Sequence, residues 1–375
     1  MLNTRYLSSL AALTFIGLTG VTGSAIAAGP SSQFDLNGDV VTPGFDTLSS
    51  LSALPATTET ATYKAGGGAV RDAYTGTALW TLLGSAGGIK PIPGVKNSSL
   101  LNYVVAVGSD GYEAVFSGGE LNPMFGGSSS APDLVAYSDT GGQLGPGGAD
   151  GFARMVVPGD TAGGRYVSNL VDLTVGQAPV PAKGPGGVST EFTLSGVLNP
   201  GTYTLSSLAA LPAVQLTATY KAGGTPVTDT YTGVSLWTLL NDAELITDPT
   251  IKNDVLREYV EAIGSDGYTT IFSLGEIDPM FGDQPDLVAY ADSDGQLGPD
   301  GEDGFARIVV PGDIAGGRYI SDLVALEVFT AAPVPEPATW VLLIAPLPIL
   351  AFLASRRRTF ASGQAPVRRR YVARE

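Results

Sequence analysis

Apolar and polar residues alternate along several short stretches of the chain, and this alternation predicts β-strands. LTATYKA, residues 216–222, alternates as a half-buried strand does. YVEAIGSDGYTTIFS, residues 259–273, predicts two strands joined by a turn at Ser265, Asp266 and Gly267, where the glycine tolerates positive φ. DLVAY, ARIVVPG and YISDLVALEV predict further strands.

The helical period is confined to short segments. YTGVSLWTLLNDA, residues 231–243, places its leucines and Trp237 at spacings suited to a short amphipathic helix. We assign Trp237 and its counterpart Trp80 to packing, since an aromatic residue at helical spacing usually belongs to the core. GEIDPMFG, residues 275–282, predicts a loop or a helical turn. Many short strands with one or two helices per unit predict an α+β fold.

The whole pattern occurs twice. ATYKAGG stands at residues 61–67 and again at 218–224, and YTGTALWTLL and ARMVVPGDTAGGRYVSNLV return as YTGVSLWTLL and ARIVVPGDIAGGRYISDLV. A period of roughly 155 residues indicates a duplicated domain, since the repeats of solenoids run about 20–50 residues.

The duplication predicts two domains, a first repeat at residues 29–176 and a second repeat at residues 190–331. Between them lies QAPVPAKGPGGVS, residues 177–189, which is rich in proline and glycine. Such a composition predicts an extended, flexible linker.

The N-terminal segment, residues 1–28, predicts a secretory signal peptide. Arg5 precedes an uncharged run from Leu7 to Val21, and Ala25-Ile26-Ala27 supplies the small residues of a cleavage site. An N-terminal membrane anchor is the alternative.

The C-terminal segment carries an apolar run, predicted as a transmembrane segment at residues 339–355. Its apolar part, residues 340–354, would span about 22 Å as a helix, which is less than the roughly 30 Å hydrocarbon core of a bilayer. Three arginines follow the run and would stay cytoplasmic, which leaves the N-terminus outside. An ordinary tail anchor is the alternative to the sorting signal described next.

Residues 334–358 resemble the PEP-CTERM sorting signal, which exosortase-type membrane enzymes recognise in Gram-negative bacteria. The residues that carry the resemblance are Pro335, Glu336, Pro337, Arg356, Arg357 and Arg358. The resemblance implies cleavage by exosortase and delivery to the cell envelope, the cell surface or the extracellular matrix. The chain departs from the pattern in its basic tail, residues 359–375, because such signals usually end soon after the arginines.

Charge and missing residue types exclude several classes of function. The chain has a net charge of −16, and residues 29–332 alone hold 12 Lys and Arg against 34 Asp and Glu. A surface this acidic excludes nucleic acid as a partner. Because the chain has no cysteine and no histidine, a Ser-His-Asp triad, a cysteine nucleophile, a histidine-ligated metal and a thiolate-bound cluster are impossible.

The order of motifs resembles the oxidoreductase molybdopterin-binding domain of the sulfite oxidase type. The strand ending in ATYKAGG is followed by YTGVSLWTLL, the SDGY turn, LVAY, a Gly-rich loop, and ARIVVPGD with GGRYISDLV. The resemblance covers nearly all of both repeats and implies a compact mixed fold with a cofactor groove at the loop ends. In enzymes of that family a cysteine sulfur after the early strand binds molybdenum, and histidines anchor the cofactor. Ala65 and Ala222 stand at the expected cysteine positions, so we expect the fold without the redox activity and without the cofactor.

Four arginines are candidates for binding an anion, namely Arg154, Arg165, Arg307 and Arg318. Arginine in a Gly-rich setting can fork onto an anion, and in the resembling family basic residues near here help to hold the pterin phosphate. The alternative is internal pairing with Asp160 or Asp313.

Two sets of carboxylates are further candidates. The loop DSDGQLGPDGEDG offers oxygen ligands for calcium from Asp292, Asp294, Asp300, Glu302 and Asp303. It does not match an EF-hand loop, and a solvated acidic loop is the alternative. Glu276 and Asp278, with Glu120 matching Glu276, could form a carboxylate pair for acid–base work, or they could be surface or capping residues.

The sequence therefore predicts an exported, exosortase-sorted protein of the bacterial envelope or extracellular matrix. Its two catalytically degenerate molybdopterin-binding-like domains would be structural or ligand-binding, with exopolysaccharide or an envelope component as the ligand. The predicted partners are the Sec machinery and exosortase during export, with transient anchoring in the inner membrane. Two alternatives stay open: a molybdopterin-dependent oxidoreductase or cofactor carrier with atypical metal ligation, and a calcium-dependent matrix-binding protein.

Overall fold

The computed structural model describes residues 30–145, 150–298 and 303–331. The strands of the first repeat are β1 (Gln33–Gly38), β2 (Gly44–Thr47), β3 (Thr57–Ala65), β4 (Gly68–Ala78), β5 (Asn102–Gly108), β6 (Glu113–Ser117), β7 (Leu134–Asp139), β8 (Gly142–Gln143), β9 (Arg154–Val156) and β10 (Leu170–Gln177). Its helices are α1 (Leu48–Ser52), α2 (Leu79–Ser85) and α3 (Gly118–Leu121), with 3₁₀ turns at Ser98–Leu101 and Gly163–Arg165.

The second repeat has the same elements in the same order. Its strands are β11 (Glu191–Ser195), β12 (Gly201–Thr204), β13 (Val214–Ala222), β14 (Thr225–Ser235), β15 (Glu258–Gly264), β16 (Thr269–Ser273), β17 (Leu287–Asp292), β18 (Gly295–Gln296), β19 (Arg307–Val309) and β20 (Leu323–Thr330). Its helices are α4 (Leu205–Leu208), α5 (Leu236–Asp242) and α6 (Leu274–Ile277), with 3₁₀ turns at Asp254–Arg257 and Gly316–Arg318.

Each repeat contains two five-stranded sheets. In the first repeat one sheet has the order β2-β1-β10-β5-β6, and the other has the order β3-β4-β7-β8 with β9 paired to β7. The second repeat has the matching orders β12-β11-β20-β15-β16 and β13-β14-β17-β18, with β19 paired to β17. Strands β1 and β10 pair in parallel, as do β11 and β20, and the other pairs are antiparallel.

The predicted α+β class is wrong, because strands supply most of the regular structure. The α-helices of the described residues are only four to seven residues long. The leucine spacing placed α5 correctly, and its buried residues are Leu236, Leu239 and Leu240. A helix this short covers one patch of a sheet and does not build the separate helical layer that an α+β fold requires.

The repeated ATYKAGG stretch is a strand followed by a tight turn. Strands β3 and β4 pair as far as Ala65 and Gly68, which leaves Gly66 and Gly67 as a two-residue connection. Both glycines have positive φ, 57° and 82°, as a type I′ turn requires. The glycines are therefore explained by the hairpin, and Ala65 and Ala222 are exposed residues at the two hairpin tips.

The two repeats lie in one compact unit and share a buried interface. Along β5, Val104 and Ala106 belong to the core of the first repeat, while Tyr103 and Val105 are buried but point to the other face. Tyr103 stacks on Tyr259 of the second repeat, with ring centroids 5.0 Å apart. The sheet that contains β5 and the sheet that contains β15 thus pack face to face. The residues at this interface alternate along each strand with the residues that face the core of their own repeat.

The residues predicted as a flexible linker are hydrogen-bonded to both repeats. The Ala178 amide donates to Leu101 in the first repeat, and the Gly184 amide donates to the Asp266 carbonyl in the second, at 2.8 and 3.0 Å. The linker therefore follows the surface of the unit.

The predicted signal peptide, sorting signal, transmembrane segment and basic tail all lie outside the described residues. Within the part of the chain that the structure describes, no helix has the length and apolar character needed to cross a bilayer. The structure gives no support to the predicted transmembrane helix, to the signals for export and exosortase sorting, or to the envelope localisation that depends on them.

A buried carboxyl group at the repeat interface should make stability depend on pH. Glu261 on β15 is 1% exposed, and its Oε1 has no hydrogen-bond partner among the described residues. Burial raises the pKa of Glu261 from 4.5 to about 7. The negative charge of Glu327, which lies opposite it on β20, contributes a smaller part of this increase. The folded state therefore holds this proton more tightly than the unfolded state does.

We expect the stabilising contribution of protonated Glu261 to be complete below about pH 4.5 and to be lost as the pH rises through 7. Glu261→Gln should reduce the fall in the free energy of unfolding between pH 5 and pH 8 by about 2 kcal/mol. Urea unfolding at several pH values measures this, with the exposed Glu191→Gln as the control. Identical pH profiles for Glu261→Gln and the wild type would contradict the assignment.

Candidate functional site

Two short helices meet where the repeats join, and each begins with a Ser-x-x-Glu capping box. In α3 the Ser117 hydroxyl accepts from the Glu120 amide, and the Glu120 carboxylate accepts from the Ser117 amide. Ser273 and Glu276 do the same in α6. The motif is the usual signature of a helix start, so the sequence fixes both serines and both glutamates locally.

The two capping boxes also bond to each other across the interface. Ser117 Oγ donates to Glu276 Oε1 at 3.2 Å, and Ser273 Oγ donates to Glu120 Oε1 at 2.8 Å. Glu276 is 1% exposed. Each glutamate is thus held by serines from both repeats.

A buried arginine completes the site on each side. The Arg165 guanidinium donates to both oxygens of Asp160, at 2.9 and 2.6 Å, and to Glu120 Oε2 at 2.5 Å. Arg318 donates to both oxygens of Asp313 at the same distances and to Glu276 Oε2 at 3.0 Å. We call Ser117, Glu120, Asp160, Arg165, Ser273, Glu276, Asp313 and Arg318 the central charge cluster.

The ion pairs of the central charge cluster keep both guanidinium groups protonated. Burial lowers the pKa of Arg318, but the negative charges of Asp313 and Glu276 outweigh burial and raise it well above its usual value. Burial raises the pKa of Glu276 well above its usual value, although Arg318 opposes this. The arginines are therefore permanent cations, and the protons that titrate belong to the carboxyl groups.

A cavity of about 500 Å³ opens beside the central charge cluster. Carboxyl groups outnumber guanidinium groups in its lining by five to two, since Asp133 joins the four acids of the cluster. The other side chains that matter here are Trp80 and Thr81 from α2 and Gln284 from the second repeat. The cavity is therefore acidic and has one aromatic wall.

The loop with which the first repeat lines the cavity is longer than its counterpart in the second repeat. GGSSSAPD, residues 126–133, stands where the second repeat has GDQPD, residues 282–286, which is three residues shorter. Asp133 lines the open cavity, whereas its counterpart Asp286 is 1% exposed, with no hydrogen-bond partner for either carboxyl oxygen among the described residues. Burial raises the pKa of Asp133 well above its usual value, against the effect of Arg165.

The structure brings some of the predicted site residues together and separates others. The predicted pairings of Arg165 with Asp160 and of Arg318 with Asp313 are confirmed. Arg154 and Arg307 lie apart from them and pair with Asp150 and Asp303, at 3.0 and 2.6 Å. Ala65 and Ala222 contribute nothing to the central charge cluster.

The carboxylates predicted as an acid–base pair have structural roles. Glu120 and Glu276 do lie together, but as capping residues with arginine partners. Asp278 is 4% exposed and accepts from the Met280 amide at 2.8 Å, which closes the turn after α6. The capping alternative is therefore the one that the structure supports.

The candidate calcium loop is only partly described, since Asp300 and Glu302 lie outside the described residues. Asp292 accepts from the Asp294 amide at 2.9 Å, and Asp303 binds Arg307 and the Ser321 hydroxyl. Across the described ranges, no group of three Asp, Glu, His or Cys side chains is arranged to hold a metal ion.

Sequence reasoning missed Ser117, Ser273 and Asp133. The Ser-x-x-Glu spacing could have identified the two serines as caps. Nothing in the sequence marks Asp133, because it lines a cavity built from residues of both repeats.

Comparisons with known proteins assign no family. No family model matches the chain, and no curated protein matches it. Among solved structures, the chain is similar to the sulfane dehydrogenase SoxCD from Paracoccus pantotrophus, with a TM-score of 0.33 and 17% identity over 65% of this chain. The match spans 60% of that protein. Likeness at this level carries no argument about family or activity.

Proposed function

We propose that the protein is a non-catalytic binding protein whose central cavity holds an uncharged, polyhydroxylated ligand such as a saccharide. The observation that supports the proposal is the saturation of the central charge cluster, meaning that its charged side chains already have hydrogen-bond and ion-pair partners within the protein. Arg165, Glu120 and Glu276 are each engaged by at least two partners within the protein.

This saturation argues against catalysis by the predicted residues. A general acid or base needs a carboxyl oxygen within hydrogen-bond reach of the substrate. Both oxygens of Glu120 are taken, one by serine groups and one by Arg165. The same holds for Glu276 with Arg318. The cluster therefore serves to join the repeats.

The rest of the lining suits a saccharide. Asp133 forms no side-chain hydrogen bond to another described residue, and Gln284 has an amide that both donates and accepts. Trp80, which is half-buried and packs against the core of the first repeat, also lines the cavity, and aromatic side chains are well suited to contact sugar C–H groups. The excess of carboxyl groups disfavours an anion such as a phosphate. The volume lies within the roughly 300–1,000 Å³ of small-molecule sites.

Replacing Asp133 with asparagine, or Trp80 with phenylalanine, should weaken binding of neutral oligosaccharides by about tenfold each, or 1.4 kcal/mol. Isothermal titration of the full-length chain against a panel of neutral oligosaccharides measures this. Asp294→Asn, on an exposed turn, is the matched control and should bind as the wild type does. If no neutral saccharide binds the wild type, or if the control loses as much affinity as Asp133→Asn, the proposal fails.

A further inference from the structure

Two grooves flank the boundary between the repeats, on elements that correspond to each other. The first groove, about 410 Å³, is lined by the tip of the β3–β4 hairpin, by Tyr112 and by residues 252–253 and 280–281 of the second repeat. The second groove, about 950 Å³, is lined by the tip of the β13–β14 hairpin, by Tyr268 and by residues 96–97 and 124–125 of the first repeat. Both grooves are therefore built jointly by the two repeats, and both contain an ATYKAGG hairpin tip.

A matching hydrogen-bond relay fixes each groove. Asn253, with a φ of 53°, donates to the Tyr112 hydroxyl at 2.9 Å, and that hydroxyl donates to the Gly164 carbonyl at 2.7 Å. In the second groove Asn97, with a φ of 52°, donates to Tyr268, which donates to the Gly317 carbonyl, each at 2.8 Å. Asparagine adopts the left-handed region more readily than most residues do, and the same residue type precedes it in both grooves. That residue is a lysine each time, Lys252 and Lys96.

The grooves collect most of the lysines of the chain. The chain has six lysines, and four of them line the grooves, Lys64 and Lys252 in the first and Lys96 and Lys221 in the second. All four are exposed. Every ion pair between described residues uses an arginine, so these ammonium groups are not neutralised by a carboxylate of the protein. Their placement contrasts with the net charge of −16 on the whole chain.

The acids in the grooves have local roles in turns. Asp110 accepts from the Tyr112 amide at 3.1 Å, and Asp266 accepts from the Tyr268 amide at 2.8 Å. In the second groove, Asp322 accepts from the Ser189 amide at 3.0 Å, and Arg307 pairs with Asp303. The lining of the first groove holds two lysines and Asp110, and that of the second holds two lysines, the paired Arg307, Asp266 and Asp322.

We propose that these two lysine grooves bind an acidic polysaccharide, with its carboxylates on the lysines and its sugar rings on the tyrosine and methionine side chains. Lysine is a mobile point charge that accepts varied carboxylate geometries, whereas five of the six arginines among the described residues, all except Arg71, are held in ion pairs. Lys252 Nζ lies 5.6 Å from the centre of the Tyr112 ring, so charge and ring face are adjacent. Met280 and Met124, 67% and 66% exposed, add apolar contact at each rim.

The class of ligand follows from the small number of lysines in each groove. Two ammonium groups per groove match a chain that carries one carboxylate per sugar, and they fall short of the 6–10 phosphate contacts, roughly, that hold a nucleic acid. The grooves are separate from the central cavity and take a charged ligand. Loss of neutral saccharide binding would therefore leave this proposal intact, and the reverse is also true.

The test is binding of polygalacturonate oligomers to the full-length chain at two salt concentrations, about 50 and 200 mM. We expect each double variant, Lys64→Gln with Lys252→Gln and Lys96→Gln with Lys221→Gln, to lose about tenfold in affinity at low salt. Combining all four substitutions should abolish binding and its salt dependence. The control is Lys90→Gln with Lys183→Gln, which changes the same charge at the two lysines outside the grooves and should keep wild-type affinity.

Three results would overturn the proposal. They are the absence of polygalacturonate binding by the wild type, an equal loss of affinity in the Lys90 and Lys183 control, and tighter binding of single-stranded DNA than of polygalacturonate. Neutral dextran is measured in parallel, and the groove variants should leave its binding unchanged. An effect of the groove variants on dextran would show that they disturb the whole protein, which also contradicts the assignment.

Discussion

Replacing Arg318 with methionine should lower the free energy of unfolding by about 3–5 kcal/mol. The substitution leaves Asp313 and Glu276 in place, 2% and 1% exposed, without their cation. Methionine fills much of the same space, so the loss reports the unpaired carboxylates more than a cavity. Chemical unfolding of the full-length chain measures the change.

The control for this prediction is Arg71→Met, at an exposed position on β4, which should change the free energy of unfolding by less than about 0.5 kcal/mol. Arg165→Met tests the same interaction in the other repeat. Because Arg165 holds Asp160 and Glu120 in the same geometry, it should resemble Arg318→Met in its effect. A loss below about 1 kcal/mol at Arg318, the size of a surface ion pair, would show that the central charge cluster does not hold the repeats together.

The hairpins show how much of the fold the sequence could predict. Local alternation and turn residues placed β13, β15, β16 and α5, because each depends on neighbours in the chain. Aligning the duplicated stretches ATYKAGG and GGRY correctly matched the elements of the first repeat with their counterparts in the second. The fold class was wrong because it depends on how much of each sheet the helices cover, and the sequence pattern does not give that.

The sequence contains a pattern that indicates the repeat interface, but we did not interpret it in that way. NYVVAVG in β5 carries apolar residues on both faces, which is typical of strands buried on both sides. We predicted two separate domains on a flexible linker, so the second apolar face had no assigned partner. It packs against the other repeat, and the central charge cluster and both lysine grooves lie along that boundary.

The candidate site was predictable only in its parts. The ion pairs of Arg165 and Arg318 could be foreseen because Asp160 and Asp313 lie five residues away in the chain. The hydrogen bond between Ser117 and Glu276 joins residues 159 apart in the chain, and nothing local encodes it. The acidic cavity is lined by residues of both repeats, including the longer loop at residues 126–133, so it forms only once the repeats pack together.

Replacing Phe281 with alanine should lower the free energy of unfolding by about 3–5 kcal/mol, because this residue belongs to the core of the opposite repeat. Phe281 is 4% exposed and, together with Leu256, packs among the core residues of the first repeat. Its ring lies over Gly164, where an added Cβ would be 2.2 Å from the ring. Its carbonyl accepts from the Thr161 amide at 2.8 Å, which fixes the backbone in this position. The side chain therefore anchors the second repeat in the first.

The neighbouring residue supplies the control, since Met280 is 67% exposed and Met280→Ala should change the free energy of unfolding by less than about 0.5 kcal/mol. If Phe281 couples the repeats, its loss should also separate their unfolding, so that denaturant curves followed by tryptophan fluorescence and by circular dichroism no longer coincide. Gly164→Ala should act in the same direction by displacing the ring from the other side. A single, coincident transition with a loss below about 1 kcal/mol in Phe281→Ala would mean that the repeats are stable without this contact.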